Sequence, residues 1–264
     1  MGNTQPQLQD SLELRAYAVF SLRDRDIISS FHGITKDIHG FFACEESVKE
    51  EFASDEGNVG YVRTTTREFL KLRSNDISTC CEKIGLQQDN ANQAHSNLAR
   101  IGWHSFLCMN NCSPTTLQGS ELDEIKECLE ERASLSVIHY FPASVDEAAD
   151  FINEAPNAKD LCEQSNMLEV CSQHKDTGIF TLIMTSNVPG LDVYDNKLQA
   201  WIPLETLIQQ HRDPPNTEIM VLLMGHKAPL FLGPKCQPTL HRVTVKKAVE
   251  RPSFLYFMDT AKIN

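Results

Sequence analysis

Two hydrophobic periods divide the chain into a front part and a back part. In the stretch 26–53, apolar residues recur at the three- and four-residue spacing of a helix with one buried face. The stretch "GSELDEIKECLEERASL" shows the same spacing, and Ser120 stands at a suitable N-cap position before a first turn rich in acidic residues. Nearer the start, "LRAYAVFSL" is instead typical of a strand. The pattern predicts a mostly helical front half.

The character of the sequence changes from about Leu135. Short apolar or alternating runs of strand length now follow one another: "LSVIHYF", "GIFTLIMTS", "LDVYDNKLQAWIPL", "EIMVLLM", "APLFL", "LHRVTV" and "SFLYFM". The third run is expected to form a hairpin, because Asp195 and Asn196 supply turn residues between its two arms. One helix, "SVDEAADFI", interrupts the series with Ser144 and Glu147 as a capping box. So many short strands suggest a sandwich or a barrel.

The sequence contains no boundary that would separate these two parts into independent domains. It has no internal repeat, no low-complexity tract and no long linker rich in Pro, Gly or Ser. With 264 residues, 41% of them hydrophobic, the chain can bury a sizeable core. We therefore expect one cooperative unit with a mostly helical N-terminal region at 1–133 and a strand-rich core at 134–264. The expected fold class is α+β, mainly β with flanking helices.

Charge and cysteine content limit the partners that the protein can have. A formal net charge of -12 gives no long-range attraction for nucleic acid or an anionic membrane, so neither is expected as a partner. The first residues show no basic region followed by a long apolar stretch. Nine cysteines without a repeated spacing favour reduced thiols over a disulfide framework or a zinc site. We expect a soluble cytoplasmic protein that acts on a small molecule, and the sequence does not predict its oligomeric state.

His174 and Asp176 are candidate metal ligands. They stand two apart before the apolar run "GIFTLIM", and side chains at i and i+2 of an extended chain leave the same face. An imidazole and a carboxylate could then share one ion, although the same pair also fits a surface salt bridge or a turn. A second histidine on a later predicted strand, His241, completes the two-histidine, one-carboxylate set that holds Fe(II) and leaves positions open for oxygen and substrates.

Arg251 and Ser253 are candidate anion ligands. They stand two apart in "ERPSFLYFM", so a guanidinium and a hydroxyl share one face of a predicted strand. Together they can hold a carboxylate, with the arginine donating two parallel N–H bonds. Metal ligands and an anion clamp therefore follow one another in the strand-rich half.

In this combination the sequence resembles the isopenicillin N synthase-like group of Fe(II)- and 2-oxoglutarate-dependent dioxygenases. The resemblance covers 134–259 and is carried by "HKDTGIFTLIM", "LDVYDNKLQAWIPL", "MGHKAPLFLGPKCQPTLHRV" and "RPSFLYF". The front half, with "AYAVFSL" and "FHGI", is compatible with the family's N-terminal region but less diagnostic. The resemblance implies a double-stranded β-helix, or jelly-roll, core with flanking helices.

The resemblance also implies a site and an activity. His174, Asp176 and His241 are expected to bind Fe(II) as the catalytic centre, and Arg251 and Ser253 to hold the co-substrate 2-oxoglutarate. The implied reaction consumes O2 and 2-oxoglutarate, releases succinate and CO2, and hydroxylates a small organic substrate. Two alternatives stay open: an iron-dependent oxidase of the same fold that performs oxidative cyclisation without 2-oxoglutarate, and a binding module that has lost catalysis.

The sequence departs from the family pattern on the first barrel strand and in two connections. Where the family often has Asn-Tyr-Tyr-Pro, this chain has "HYFP", so Phe141 takes the position of a tyrosine whose hydroxyl can contact 2-oxoglutarate. His139 is expected to share the face of Phe141, either as a substitute donor or as a core histidine. The connections before the first metal ligand and between the second and third are longer than in the family. Both are expected to reshape the entrance, so the substrate does not follow from the fold.

Four further residues are weaker candidates. His226 in "LLMGHKAPL" is expected in a turn. Arg63, Arg67 and Lys71 stand four apart in "GYVRTTTREFLKLR", which predicts one side of a helix. A solvated face or ion pairs are expected for these cations, with the alternative that Arg63 or Arg67 closes over an anionic substrate.

Overall fold

The computed structural model describes residues 5–53, 60–73, 77–84, 87–111, 113, 116–141, 167–210, 218–247 and 249–260. Within these ranges the helices are α1 (Gln5–Arg15), α2 (Arg25–Phe42), α3 (Glu46–Glu50), α4 (Ile77–Ile84), α5 (Gln88–Asn110), α6 (Ser120–Arg132), α7 (Leu204–Gln210) and α8 (Ala228–Leu232). The strands are β1 (Tyr17–Leu22), β2 (Gly60–Arg63), β3 (Arg67–Arg73), β4 (Ser134–Tyr140), β5 (Met167–His174), β6 (Phe180–Met184), β7 (Leu191–Asp195), β8 (Ala200–Pro203), β9 (Glu218–Met224), β10 (His241–Lys246) and β11 (Arg251–Met258). The predicted helix "SVDEAADFI" lies outside the described residues.

The strands form two antiparallel sheets. The larger sheet has seven strands in the order β1-β9-β6-β11-β4-β3-β2, and the smaller has four in the order β5-β10-β7-β8. Most neighbours in the sheets are not consecutive in the chain, which is typical of a jelly roll. The prediction of a mainly β, α+β fold with a jelly-roll core and flanking helices is confirmed.

Each face of the larger sheet buries a different layer. One face packs against the smaller sheet, where Ile183 and Leu255 meet Val193 and Val243. The other face is covered by α2 and α5, and the ring of Phe31 on α2 lies 5.7 Å from the ring of Phe254 on β11. No helix in the described ranges combines the length and the apolar character needed to span a bilayer. The space between the two sheets is the place where strands of both can direct side chains at one another.

Most of the strands predicted for the back half are present. The runs identified in the sequence contain β4, β6, β9, β10 and β11. The predicted hairpin is β7 and β8, and the carboxylate of Asp195 accepts the backbone N–H groups of Lys197 and Leu198 at 2.9 Å each. Asp195 therefore performs the turn role that the sequence predicted for it.

Several predicted elements are wrong. The stretch "GYVRTTTREFLKLR" forms the hairpin of β2 and β3, not a helix, because its buried residues Glu68, Leu70 and Leu72 recur with a period of two. "APLFL" forms α8 instead of a strand, with a proline in its first turn. Ser120 is the first residue of α6, and the N-cap position belongs to Gly119, which has a φ of 56°. The spacing of the hairpin residues was interpreted as helical, and the N-cap of α6 was predicted one residue too late.

The front half is less purely helical than predicted. Strand β1 is confirmed, but the preceding polar residues form α1, and the helix predicted at 26–53 is divided into α2 and α3. The side chain of Asp24 caps α2 by accepting the backbone N–H groups of Asp26 and Ile27. Strands β1, β2 and β3 all join the larger sheet. Three of the seven strands of the larger sheet therefore come from residues before 134.

Candidate metal centre and anion pocket

A cavity of about 200 Å³ lies between the two sheets. The larger sheet lines it with side chains from β3, β4, β6 and β11, and the smaller sheet with side chains from β5, β7 and β10. On β3, β4 and β11 every second residue faces the cavity, as expected for one face of a pleated sheet. His174, Asp176, His241 and Ser253, four of the five predicted site residues, are among the lining residues.

The three predicted metal ligands converge in the wall of this cavity. His174 ends β5, Asp176 lies in the turn before β6, and His241 begins β10 directly opposite His174. Asp176 Oδ1 lies 3.6 Å from His174 Nε2 and 3.9 Å from His241 Nε2. One ligand atom of each residue lies within 4.8 Å of the other two. Two imidazole nitrogens and a carboxylate oxygen on one side of an open space are a donor set for a divalent transition metal.

The sequence predicted the pair of His174 and Asp176 at the beginning of a strand, but the pair lies at the end of one. Strand β5 was not predicted because several of its residues are polar and it lacks a continuous apolar run. His174 is the last residue of β5 and Asp176 already belongs to the turn. The two side chains therefore meet through a turn and not through the alternation of a single strand.

Hydrogen bonds on the outer side of the three residues fix their orientation. Each histidine donates its Nδ1–H to the backbone carbonyl two residues before it, at 2.8 Å for His174 and 3.2 Å for His241. The hydroxyl of Thr181 donates to Asp176 Oδ2 at 2.5 Å. Such bonds select the tautomer and the ring orientation of metal-binding histidines. They leave both Nε2 atoms and Asp176 Oδ1 facing one another.

The three side chains differ in protonation when no cation is bound. The hydrogen bond with Asp176 raises the pKa of His174 to about 10. Burial acts to raise the pKa of Asp176, but the hydrogen bond from His174 and the charge of His241 lower it overall. Burial lowers the pKa of His241. A metal ion that binds here therefore replaces a proton on His174 and balances a buried carboxylate.

The turn that carries Asp176 is packed against the turn that follows β9. The backbone N–H of His226 donates to the carbonyl of Asp176 at 2.7 Å, and that of Gly225 donates to the carbonyl of Ile179 at 2.8 Å. A Cβ atom on Gly225 would overlap the carbonyl oxygen of Gly178. Only glycine permits this approach. The predicted turn position of His226 is confirmed, and its side chain is exposed.

Arg251 has a partner that the sequence did not indicate. Its guanidinium is fully buried, and Nη2 donates to both carboxylate oxygens of Glu205, at 2.8 and 2.9 Å. Nε donates to the carbonyl of Val188 at 3.1 Å, whereas Nη1 has no hydrogen-bond partner among the described residues. Glu205 also accepts the backbone N–H groups of Gly190 and Leu191. The arginine expected to hold a carboxylate is thus paired with an acid and retains one unused donor.

Tyr140, and not Phe141, faces the cavity. The register of β4 and β11 places Tyr140 opposite Arg251, whose Cζ lies 5.7 Å from the centre of the phenol ring. Burial raises the pKa of Tyr140, so its hydroxyl stays protonated and can donate a hydrogen bond. The expectation that Phe141 leaves this wall without a hydroxyl is wrong, because the alternation along β4 presents Tyr140 to the cavity.

His139 lies on the opposite face of β4, in a polar network. Its Nδ1 lies 3.0 Å from Glu68 Oε1 and its Nε2 lies 3.1 Å from Glu250 Oε2. Lys49 Nζ and the Tyr61 hydroxyl donate to Glu68 Oε2 at 2.9 and 2.7 Å. Burial acts to raise the pKa of Glu68, but these hydrogen bonds lower it to about 2. Of its two expected roles, His139 therefore has the structural one and not that of a substitute donor, because it does not line the cavity.

Two of the three cations singled out in the sequence line the cavity. Arg67 and Lys71 lie on the cavity face of β3, and Arg67 Nη1 donates to Cys171 Sγ at 3.0 Å. Arg63 lies on β2 outside the cavity, where Nη1 lies 2.7 Å from Glu46 Oε2. The expected surface ion pair is confirmed for Arg63. The cavity instead receives the positive charges of Arg67 and Lys71.

Sequence reasoning missed several cavity residues, and their signals differ. Counting by two along "LSVIHYF" from the buried Ser136 would have found Tyr140. Recognising β3 as a strand would have placed Arg67 and Lys71 on one face. Glu205 carries no local signal, because its role depends on a loop and an arginine distant in the sequence.

The fold of the chain is similar to those of solved oxygenases, although no family model and no curated protein matches its sequence. Dioxygenase for auxin oxidation 1 from Arabidopsis thaliana, in a 2-oxoglutarate complex, is 17% identical at a TM-score of 0.70, over 98% of this chain and 88% of its own. A putative oxygenase from Shewanella oneidensis is 18% identical at a TM-score of 0.67, over 98% of this chain and 88% of its own. A putative 2OG-Fe(II) oxygenase family protein from Caulobacter crescentus is 19% identical at a TM-score of 0.67, over 97% of this chain and 81% of its own. The chain therefore has the double-stranded β-helix fold of the 2-oxoglutarate and Fe(II) oxygenases.

Proposed function

We propose that the protein is an Fe(II)- and 2-oxoglutarate-dependent dioxygenase that uses O2 to hydroxylate a small organic substrate, with release of succinate and CO2. The observation that carries the proposal is the convergence of His174, Asp176 and His241 at a cavity that also contains Ser253 and Tyr140. The similarity of the fold to 2-oxoglutarate oxygenases supports the same conclusion.

The proposed ligands fit Fe(II) in number, type and surroundings. Two neutral imidazoles and one carboxylate suit this ion, and the cavity beside them has room for further ligands. Thr181 holds one oxygen of Asp176, and backbone carbonyls hold both imidazole rings, so the three donor atoms are oriented before the ion arrives. In this proposal His174, Asp176 and His241 are both the metal ligands and the catalytic residues.

The region of the cavity beside Arg251 and Tyr140 fits a carboxylate. Arg251 Nη1 is a buried donor without a partner in the described residues, and such a donor is unfavourable until an acceptor binds. The hydroxyl-bearing side chains of Ser253 and Tyr140 line the same region. We infer that these three groups hold the distal carboxylate of 2-oxoglutarate, while Glu205 holds the guanidinium in position.

Bound Fe(II) and 2-oxoglutarate would supply an oxidant from O2, with one oxygen atom entering succinate and the other entering a C–H bond of the substrate. The residues of the chain bind and orient the reactants. Apolar side chains, among them Phe69, Ile183 and Leu255, border the cavity and exclude water from the region beside the ligands. The side chains that line the cavity would therefore orient the substrate, and the cofactors would supply the redox chemistry.

Anaerobic iron binding tests the ligand assignment. The apoprotein is expected to bind a single Fe(II), and His174→Ala to weaken this affinity by at least about tenfold, because one of three donors is lost. His226→Ala is the matched control, since its side chain is exposed in a turn and should be dispensable. Equal iron affinity in the wild-type protein and His174→Ala would contradict the assignment.

An oxidase that uses iron and O2 without 2-oxoglutarate is a second candidate. The ion pair of Arg251 with Glu205 favours it, because the arginine has less charge to offer a dicarboxylate. Succinate formation separates the candidates: 2-oxoglutarate-dependent release of succinate supports the dioxygenase, and substrate oxidation without succinate supports the oxidase. Iron binding with neither product would indicate a binding module that has lost catalysis.

We also propose that 1–133 and 134–264 form one folding unit located in the cytoplasm. Pairing of β1 with β9 and of β3 with β4 supports a shared core. Nine cysteines without a repeated spacing suit a reducing compartment. Expression of 134–264 alone should give no cooperative unfolding transition, because its larger sheet lacks three strands.

A further inference from the structure

Lys71 and Ser136 form a polar pair in the cavity that the proposed chemistry does not use. They lie on the neighbouring strands β3 and β4, and the antiparallel register places them directly opposite each other. Both side chains line the cavity. An ammonium and a hydroxyl are therefore presented side by side to whatever occupies it.

Neither side chain has a hydrogen-bond or ion-pair partner among the described residues. Ser136 is only 1% exposed, and its Oγ makes no hydrogen bond there. Lys71 is half-buried, and within the same ranges its contact is the ring of Phe257, whose centre lies 5.1 Å from Nζ. An ammonium withdrawn from water beside an unpaired hydroxyl is unfavourable until an acceptor binds to both. The pair is thus ready to receive an anionic oxygen.

This pair is separate from the proposed 2-oxoglutarate end of the cavity. One row across β3, β4 and β11 contains Arg67, Tyr140 and Arg251, and another contains Lys71, Ser136 and Leu255. Four residues along each strand correspond to roughly 13 Å between the rows. The carbon chain of 2-oxoglutarate spans roughly 5 Å when extended, judged from ordinary C–C bond lengths. One co-substrate molecule is too short to occupy both rows.

Charge balance favours an anion beside Lys71 even when the cofactors are bound. Arg251 is neutralised by Glu205. Asp259, whose charge also acts on Lys71, is paired with Lys227. Among the charges that line the cavity, those of Arg67, Lys71 and Fe(II) exceed by one the negative charges of Asp176 and the 2-oxoglutarate dianion. One further negative charge would leave the cavity neutral, which is the least costly state for a partly buried site.

The surroundings of the pair define the rest of the ligand. Phe69, Leu255 and Phe257 line the same wall around Lys71 and Ser136. These apolar side chains suit a hydrocarbon or aromatic body and offer it no hydrogen bonds. The wall therefore combines one anion-binding point with an apolar surface.

We propose that Lys71 and Ser136 bind the carboxylate of the primary substrate, so that the enzyme acts on a small monocarboxylic acid with an apolar body. This inference rests on the proposed function, because it concerns the substrate of the same Fe(II) and 2-oxoglutarate site. It assigns a role to a cation and a hydroxyl that are both unpartnered in the described structure.

The test compares acids with their neutral amides on the anaerobic protein loaded with Fe(II) and saturating 2-oxoglutarate. The probes are phenylacetate with phenylacetamide, and hexanoate with hexanamide, titrated by calorimetry. In the wild-type protein at least one acid is expected to bind at least about tenfold more tightly than its amide. Lys71→Met should abolish that preference, Lys71→Arg should retain part of it, and Ser136→Ala should reduce it. Lys246→Met, an exposed lysine on β10, is the matched control and should leave it unchanged.

Three results would overturn the inference. The first is that neither acid binds better than its amide in the wild-type protein. The second is that the preference for the acid survives in Lys71→Met. The third is that Lys71→Met weakens the binding of 2-oxoglutarate itself, since Lys71 would then serve the co-substrate. Failure of the proposed function is recognised earlier, because the wild-type protein would then not bind Fe(II) and 2-oxoglutarate before any probe is added.

Discussion

Tyr140 occupies a central position in the proposed 2-oxoglutarate end of the cavity. Its neighbours across the sheet are Arg251 on β11 and Arg67 on β3, so a phenol lies between two guanidinium groups. Burial keeps the phenol protonated, which leaves its hydroxyl as a donor. The charge of Arg67, the phenol hydroxyl and the Nη1 donor of Arg251, which has no partner among the described residues, suit a carboxylate better than any neutral group.

Replacing Tyr140 by Phe should therefore weaken the binding of 2-oxoglutarate. A hydrogen bond to a charged group contributes about 1.5 kcal/mol or more, which corresponds to a loss of affinity of about tenfold. Calorimetric titration of the anaerobic Fe(II) protein with 2-oxoglutarate measures the change. Phe141→Tyr is the control, because it adds a hydroxyl outside the cavity and should leave the affinity unchanged. The opposite ranking of the two variants would contradict the placement of Tyr140.

Among the elements, the turn between β5 and β6 controls the metal centre. Its backbone carries Asp176 and is held by N–H groups of the turn after β9. Gly225 allows the two turns to touch, since any Cβ at this position would overlap the carbonyl oxygen of Gly178. The position of a metal ligand thus depends on a residue that is not itself a ligand.

Gly225→Ala should reduce iron affinity, because the overlap must be relieved by moving one of the two turns and Asp176 moves with its turn. We expect a loss of at least about tenfold in Fe(II) affinity, together with lower thermal stability. Gly40→Ala is the control: Gly40 lies in α2 with open space around it, and alanine should stabilise that helix by up to about 1 kcal/mol. Unchanged iron affinity in Gly225→Ala would contradict the proposed coupling.

Secondary structure could be predicted from the sequence where one period was strong. The apolar runs of β6 and β9 and the turn chemistry of Asp195 were sufficient for the back half. The hairpin of β2 and β3 was missed because cations four residues apart fit a helix and a strand equally well. Strand β5 was missed because its residues are largely polar and partly exposed. Short elements with ambiguous periods are decided by their partners in the sheet.

The candidate site could be predicted only where its members are close in the sequence or follow a known order. His174 with Asp176 and Arg251 with Ser253 are pairs two residues apart, and local reasoning found both. The pairing of Lys71 with Ser136 and of Arg251 with Glu205 follows from strand register and loop packing. No local pattern contains that information, because each pair joins distant segments.

On the scale of the whole molecule, a buried polar network joins elements on the helical side of the larger sheet. Glu68 on β3 accepts hydrogen bonds from Lys49 on α3 and Tyr61 on β2, and His139 on β4 contacts its other oxygen. The network thereby connects three neighbouring strands and a helix through a single carboxylate. Its protonation should therefore affect the stability of the whole fold.

The network predicts a specific dependence of stability on pH. The pKa of Glu68 is about 2 in the folded protein, below its ordinary value of 4.5, so the unfolded chain takes up the proton more readily. The resulting contribution to the free energy of unfolding is complete above about pH 4.5 and is lost as the pH falls towards 2. Urea unfolding at a series of pH values should show a steeper loss for the wild-type protein than for Glu68→Gln.

The control for this prediction is Glu250→Gln. Glu250 contacts the same histidine, but its side chain is 69% exposed. This variant should keep the wild-type slope of unfolding free energy against pH. Identical slopes in wild-type protein and Glu68→Gln would show that the network does not control acid stability.

The visible absorption of the anaerobic Fe(II) protein during a titration with 2-oxoglutarate examines metal, co-substrate and fold together. We predict a weak metal-to-ligand charge-transfer band that saturates with 2-oxoglutarate in the wild-type protein and is missing in His174→Ala. Iron binding without this band would contradict the use of 2-oxoglutarate and favour the oxidase. No iron binding by the wild-type protein would contradict the metal centre at His174, Asp176 and His241.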